Sequence, residues 1–260
     1  LFELSVNLEY MFREAGDDLP SRVAAAADAG FRKVEMFTTA GRDVAALSKA
    51  LTAHGVELWT MVVDPRTRLI DPATHDEFMG LFHRAVHDAR ELGCRRLVVG
   101  SGPGVPWQKR AVQLDTVADA VRAIAEIAAE HDVEILLEAV NTRVDHPGVL
   151  FSRTEDSATV VGKVASPSVR LLYDLYHSVA EGEDPHDVLP EVSDILGHVQ
   201  IADVPGRGEP GSGSIDWPVM LDLLRDSGYS GVIGVECQPT RTPTATALNY
   251  IRQLSGRNDS

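Results

Sequence analysis

The sequence predicts an α/β fold, a (β/α)₈ barrel formed by residues 1–260 as one domain, and three observations support this. Short β-rich runs alternate with longer helical patterns, and eight of each can be counted. Most of the strand-like runs are apolar throughout, as in parallel strands covered on both faces. The length of 260 residues suits one barrel of this kind, typically about 250 residues.

The strand-like runs are Phe2–Val6, Lys33–Met36, Val56–Val62, Arg96–Val99, Val133–Glu138, Val169–Asp174, His198–Ile201 and Val232–Glu236. Between and after them, apolar residues three and four apart predict helices over Leu19–Ala29, Val44–His54, Phe78–Leu92 and Leu114–Glu130. The same spacing continues over Asp156–Val164, Val188–Val192, Trp217–Asp226 and Thr244–Leu254. Gly55, Gly93 and Gly228 each follow a helical run, where a left-handed capping residue is wanted. No interdomain linker stands out. The Gly/Pro-rich stretch Pro205–Gly213 follows the seventh strand, which in a barrel makes it a loop of the active face.

Composition narrows the function classes. A net charge of −15 argues against nucleic-acid partners, which need Lys and Arg to neutralise phosphates. The two cysteines, Cys94 and Cys237, sit in separate apolar segments without metal-type spacing, which points to a reducing, cytoplasmic setting. No apolar run approaches the ~20 residues of a membrane span, and no charged-then-apolar leader opens the sequence. Self-association into a homo-oligomer is compatible with the sequence and not fixed by it.

Barrel active sites lie at the C-terminal ends of the strands. There the fifth run ends in Glu138, the sixth in Asp174, the seventh carries Gln200 and Asp203, and the eighth ends in Glu236. A carboxylate closing an apolar run needs compensation. For one such residue a helix cap or an arginine partner is the plainer account. Four oxygen-bearing side chains converging on one mouth favour a divalent cation instead. The all-oxygen set Glu138, Asp174, Gln200 and Glu236 suits Mg²⁺ or Mn²⁺ better than structural Zn²⁺. Glu9 lies in the loop after the first strand, within reach of the same mouth.

The stretch "HVQIADVPGRGEPGSGSIDW" from His198 to Trp217 closely resembles the hydroxypyruvate isomerase family, within the xylose isomerase-like TIM barrel superfamily. "LLEAVN", "YDLYH" and "VECQP" follow the same order and spacing, and the opening "FELSVNLEYMF" and "DAGFRKVEMF" resemble it more loosely. The resemblance implies metal ligands at Glu138, Asp174, Gln200 and Glu236, with Glu138 and Glu236 also moving protons. It implies a metal-dependent isomerase that interconverts hydroxypyruvate and tartronate semialdehyde, or a close hydroxy-keto acid, through an enediolate. His177 would then touch a substrate oxygen, where its plain reading is a polar residue capping the turn. Arg207, in the loop after strand seven, is either solvated or the cation for a substrate carboxylate, and Glu209 either orients it or is surface. Strands five and eight stand three apart around an eight-strand ring, so their end residues can face each other across the mouth.

Two alternatives share this site. A ketose 3-epimerase of the tagatose/allulose type would use the same two glutamates, although similar epimerases generally have His where Gln200 stands. A barrel that only binds a sugar would not turn substrate over. An apurinic endonuclease would need a His-rich multi-metal site and a basic surface.

Several features have plainer readings. "GSGPG" at Gly100–Gly104 lacks the Lys-Ser/Thr of a phosphate cradle and reads as a loop shaping the mouth. His83 and His87 have metal-ligand spacing but belong to an outer helix and read as solvated. His198 opens its strand and should lie low in the barrel. Trp107 reads equally as pocket wall or subunit contact. Family members carry a longer Gly-rich loop after strand three, introduced by a His-Asn-like pair. Here Val62 and Val63 replace that pair, the loop is shorter, and Arg66 and Arg68 supply either a replacement anionic contact or only solubility.

Overall fold

The computed structural model describes residues 2–256 and contains a closed eight-stranded parallel barrel. Its strands are β1 (Leu4–Asn7), β2 (Lys33–Met36), β3 (Glu57–Val62), β4 (Arg96–Val99), β5 (Glu134–Glu138), β6 (Val169–Asp174), β7 (Leu196–Ile201) and β8 (Ile233–Val235). They pair in chain order, and β8 closes on β1 through Leu4–Ile233, Ser5–Gly234 and Val6–Val235. The expected architecture is therefore met, with no strand end moved by more than two residues.

The helices are α1 (Leu19–Asp28), α2 (Val44–His54), α3 (His75–Leu92), α4 (Arg110–Glu130), α5 (Thr154–Val164), α6 (Leu175–Glu181), α7 (Pro185–Val192), α8 (Trp217–Asp226), α9 (Thr244–Ala247) and α10 (Asn249–Ser255). Each strand is thus followed by at least one helix, and two follow β6 and β8. The sequence reading missed α6 because seven residues are too few to display a helical period. Its N-cap is Asp174, which accepts the His177 N–H at 3.2 Å. One residue thus ends a strand and starts a helix, which brings His177 one turn from the rim. Helix ends elsewhere follow the expected chemistry: Asp43 caps α2 through the Ala46 N–H, and Gly55 closes it in the left-handed region.

Most of the core lies between the strands and the helical ring. Inside the barrel, Val98, Leu136 and Leu172 form a separate buried apolar cluster with Val62 packed on it. Side chains two residues apart on a strand share a face. The residues at the rim therefore stand directly above an inner layer: Glu138 above Leu136, Asp174 above Leu172, Gln200 above His198, and Glu236 above Gly234.

Loops at the mouth are welded together. Gly102 has φ +68°, and a Cβ there would lie 2.1 Å from the Thr67 carbonyl oxygen. The loops after β3 and β4 can meet this closely only because residue 102 has no side chain. Leu69 N–H donates to Ser101 O at 3.2 Å beside it, and Leu150 N–H donates to Gly102 O at 3.0 Å from the loop after β5. "GSGPG" is thus a contact hub of the mouth. His83 and His87 are exposed on α3, and Trp107 is 81% exposed at a loop tip, outside the pocket wall. No helix among the described residues is long and apolar enough to cross a membrane.

Gly102→Ala combines a left-handed backbone with a backbone clash, each costing about 1–3 kcal/mol. We expect thermal unfolding to show a midpoint several degrees lower; an unchanged midpoint would mean that the loops can separate at no cost.

Candidate active site

At the C-terminal mouth a cavity of about 220 Å³ is lined by Glu138, Gln200, Glu236, His177 and Arg207, with Tyr10, Phe37, Thr38, Val62, Asp64, Arg66, Val98 and His146 completing its wall. Glu138, Asp174, Gln200, Glu236, His177 and Arg207 are all buried. The sequence thus picked out a set that the fold does bring together, apart from Glu209.

Each rim residue is held differently. Glu138 accepts no hydrogen bond among the described residues, and its nearest cation is the Arg66 guanidinium at 3.8 Å. Asp174 spends one oxygen on the α6 cap and leaves the other toward the mouth, 3.9 Å from Arg207 and 3.8 Å from His177 Nε2. Glu236 accepts from Arg207 at 2.5 Å, from Asn7 at 3.0 Å and from Gln200 at 2.9 Å. The plain readings of a helix cap and an arginine partner therefore apply to Asp174 and Glu236, yet neither explains Glu138.

Charge does not balance. Glu138, Asp174 and Glu236 are three buried carboxylates, and Arg207 is the one buried guanidinium among them, leaving a formal −2. Burial pushes Glu138 up to about 7, with Asp174 adding to the rise and Arg66 and Arg207 opposing it. Burial also raises Asp174, and raises Glu236 well above the usual carboxylate range, against the pull of Arg207.

The donor set fits a divalent cation on a structural ground. Gln200 donates through Nε2 to Glu35 at 2.7 Å and to Glu236 at 2.9 Å, while its Oε1 is buried with no partner among the described residues. An orphaned buried carbonyl oxygen is costly unless a ligand takes it up. Glu138 and Asp174 also bring carboxylate oxygens within 4.8 Å of each other, with His177 in the same group. Within that group the imidazole is set up as a donor. Its Nδ1 accepts the Asn141 backbone N–H at 3.2 Å and faces the Asn141 side-chain amide at 2.7 Å. Asn141 Oδ1 is itself fixed by the Val144 and Asp145 N–H groups, both at 3.0 Å. Burial holds His177 well below its ordinary pKa, so the ring is neutral and Nε2 carries the hydrogen.

Arg207 is anchored with similar economy. It sits at φ +55°, unusual for a side-chain-bearing residue, in the loop after β7. Its guanidinium lies between the rings of Tyr10 and Tyr176, 5.3 and 5.2 Å from their centroids. The loop folds around Asp203, which accepts N–H bonds from Val204, Gly211, Ile215 and the Trp217 indole. A Cβ at Gly213 would fall 2.5 Å from that carboxylate, so the Gly-rich motif is the wall of an Asp203 cage.

Glu209 departs from the expectation that it orients Arg207 at the substrate. Its carboxylate accepts from Thr240 N–H at 2.6 Å and Thr240 Oγ1 at 2.9 Å, so it ties the loop after β7 to the loop after β8. It does not line the cavity. Glu9 likewise is taken up by the Phe37 N–H at 3.1 Å and Arg42 at 2.8 Å. Tyr10 and His146 were missed by sequence reading. His146 sits in "DHPG", which reads only as a turn, and burial with Arg66 and Arg207 nearby lowers its pKa to about 4.

The model of the xylose isomerase-like TIM barrel family matches residues 23–254. The chain belongs to that family. A human protein provisionally named hydroxypyruvate isomerase is 32% identical over 97% of this chain and 95% of its own length. The 2-oxo-tetronate isomerase of Cupriavidus necator is 30% identical over 97% of this chain and 98% of its own. Among solved structures, one titled AP endonuclease, family 2, from Brucella melitensis superposes with a TM-score of 0.90 at 28% identity, covering 99% of this chain and 100% of that one. Within the family, this chain is hydroxypyruvate isomerase-like and 2-oxo-tetronate isomerase-like over 97% of its length.

The raised Glu138 pKa has a signed consequence. An unfolded chain ionises this carboxyl near ~4.3, whereas the folded protein keeps its proton to about 7. The unfolded chain thus binds fewer protons across that window, and stability of the metal-free protein should fall as pH rises through it. Cation affinity should rise over the same window, with proton release. Melting curves and titration calorimetry in two buffers check both; Glu138→Gln should flatten the stability slope, and a slope unchanged by it would refute the assignment.

Proposed function

We propose that this chain is a divalent-cation-dependent isomerase that interconverts hydroxypyruvate and tartronate semialdehyde, or a close hydroxy-keto acid, using Mg²⁺ or Mn²⁺. The observation that carries this reading is the pairing of two buried, raised carboxyls, Glu138 and Glu236, on the wall of one small cavity. The relatives named hydroxypyruvate isomerase and 2-oxo-tetronate isomerase support the substrate class.

Glu138, Asp174, Gln200 and Glu236 would hold the cation, through three carboxylates and the unpartnered amide oxygen of Gln200. When bound, the cation supplies a Lewis acid for the substrate's adjacent carbonyl and hydroxyl oxygens. One glutamate takes a proton from the hydroxymethyl carbon, giving an enediolate. The other returns a proton to the former carbonyl carbon, while the hydroxyl proton passes from one oxygen to its neighbour. A carboxyl poised near neutrality is suited to both roles. His177 Nε2–H donates to a substrate oxygen, held in that tautomer by Asn141.

Two guanidiniums can meet the substrate carboxylate. Arg207 holds Glu236 through Nη2 at 2.5 Å, while its buried Nε has no hydrogen-bond partner among the described residues. Arg66 has no hydrogen-bond acceptor among the described residues and one ionic neighbour, at 3.8 Å. It therefore keeps its donors for a ligand, in the role that the altered loop after β3 suggested. Arg66→Met should raise KM for hydroxypyruvate severalfold while leaving any activity on a neutral ketose unchanged; equal effects on both would remove Arg66 from carboxylate recognition.

The reaction itself is tested with protein stripped of metal, recharged with Mn²⁺ or Mg²⁺, and offered hydroxypyruvate and a ketose panel in deuterated water. Deuterium should enter the carbon beside the carbonyl, and Glu138→Gln or Glu236→Gln should lower kcat by roughly 10²–10⁴. Inversion at one carbon of a ketose, without carbonyl migration, would point to an epimerase. Full activity in either variant or in the stripped protein would defeat the proposal, and binding without turnover of any compound would leave a sugar-binding barrel.

A further inference from the structure

Beneath the rim lies a fully buried carboxylate that the reaction does not use. Glu35 on β2 accepts from Ser5 Oγ at 2.5 Å on β1, and from Gln200 Nε2 at 2.7 Å on β7. His198 Nε2 meets the same carboxylate at 2.8 Å, and the Trp59 indole N–H donates to His198 Nδ1 at 3.4 Å. An indole hydrogen on Nδ1 leaves Nε2 as the donor to Glu35. On β8 the facing residue is Gly234, where a Cβ would fall 2.3 Å from Glu35 Oε1. The eighth strand thus gives up a side chain in this layer so that the carboxylate can reach under Gln200.

We propose that Glu35 is the positioning residue of the cation site: it fixes the Gln200 amide with its oxygen toward the mouth and thereby sets how tightly a divalent cation is held. This rests on the cation reading above. An amide offers an oxygen at one end and an NH₂ at the other, nearly alike in shape, and a half-turn exchanges them. In the observed orientation the NH₂ lies between two carboxylate oxygens, at 2.7 Å from Glu35 and 2.9 Å from Glu236, and the oxygen is unpartnered. The half-turn would set the amide oxygen against both carboxylates and aim two hydrogens at the cation. Glu236 belongs to the cation site, so its bond to Gln200 competes with its duty there. Glu35 lies one layer below, is completely buried, and keeps its acceptor oxygen on Gln200 throughout. Groups that orient a ligand in this way commonly change metal affinity by roughly 10–100-fold when removed.

The test is Mn²⁺ affinity, read from the paramagnetic resonance of free Mn²⁺, for wild type, Glu35→Gln, Gln200→Glu and the double variant. Glu35→Gln should weaken binding at least tenfold, since it no longer demands a donor from Gln200. Gln200→Glu should also weaken it, because two carboxylates then face each other with no hydrogen between them. The double variant transposes donor and acceptor, restores the buried bond and again turns an oxygen to the mouth, so it should bind more tightly than Gln200→Glu. A structural role alone would make the double variant the worst of the set. Wild-type affinity in Glu35→Gln, or no recovery in the double variant, overturns the inference; if Glu35→Gln does not fold, the comparison of the double variant with Gln200→Glu still decides it. A wild type that holds no Mn²⁺ sinks the cation reading itself, a result distinct from either.

Discussion

The mouth of this barrel concentrates three carboxylates out of water with a single buried guanidinium to oppose them, and the surrounding structure is organised by that imbalance. Buried charges are tolerated only with partners. Arg207 is therefore drawn deep, between two tyrosine rings, on a left-handed backbone that most residues avoid. Glu138 has no such close partner and holds its proton to about 7. The formal deficit of two charges is the complement of one divalent cation, and the orphaned oxygen of Gln200 supplies a neutral ligand beside it.

The loops serve this arrangement by fixing where side chains can stand. Asp203 gathers the Gly-rich loop after β7 around its carboxylate and so places Arg207, while Glu209 pins that loop to the next one through Thr240. Gly102 lets the loops after β3 and β4 close on each other, which holds the segment bearing Arg66 over the mouth. Asn141, from the loop after β5, sets the hydrogen on His177. The acids at the rim come from strand ends, Glu138 and Asp174 as last residues and Glu236 just past β8. The groups that orient them come mainly from loops and from the layer below.

Much of this was legible in the sequence, for identifiable reasons. Parallel strands buried on both faces stand out as apolar runs, and their last residues are at the active face by topology, so Glu138, Asp174, Gln200 and Glu236 could be named together. His198 is expected low in the barrel as the opening residue of its strand; β7 begins two residues earlier, at Leu196, and His198 lies in the inner layer against Glu35. What escaped depends on contacts between distant segments. Glu35 reads as one polar residue inside "KVEM", and only the closed ring brings it under Gln200. Glu209 sits two residues from Arg207, yet its partner is Thr240, which no local pattern reveals. Tyr10 and His146 reach the cavity from loops whose course the sequence does not fix, and the short helix α6 lacks the length to show a period.

The central claim is that Glu138, Asp174, Gln200 and Glu236 together hold one divalent cation. Anomalous diffraction from crystals grown with Mn²⁺ tests it most directly. One strong peak is expected at the mouth, about 2.0–2.3 Å from an oxygen of each of these four residues, with His177 Nε2 outside the coordination sphere. A peak bound through His177 Nε2 and lacking Gln200 and Glu236, or no peak at the mouth at all, would contradict it.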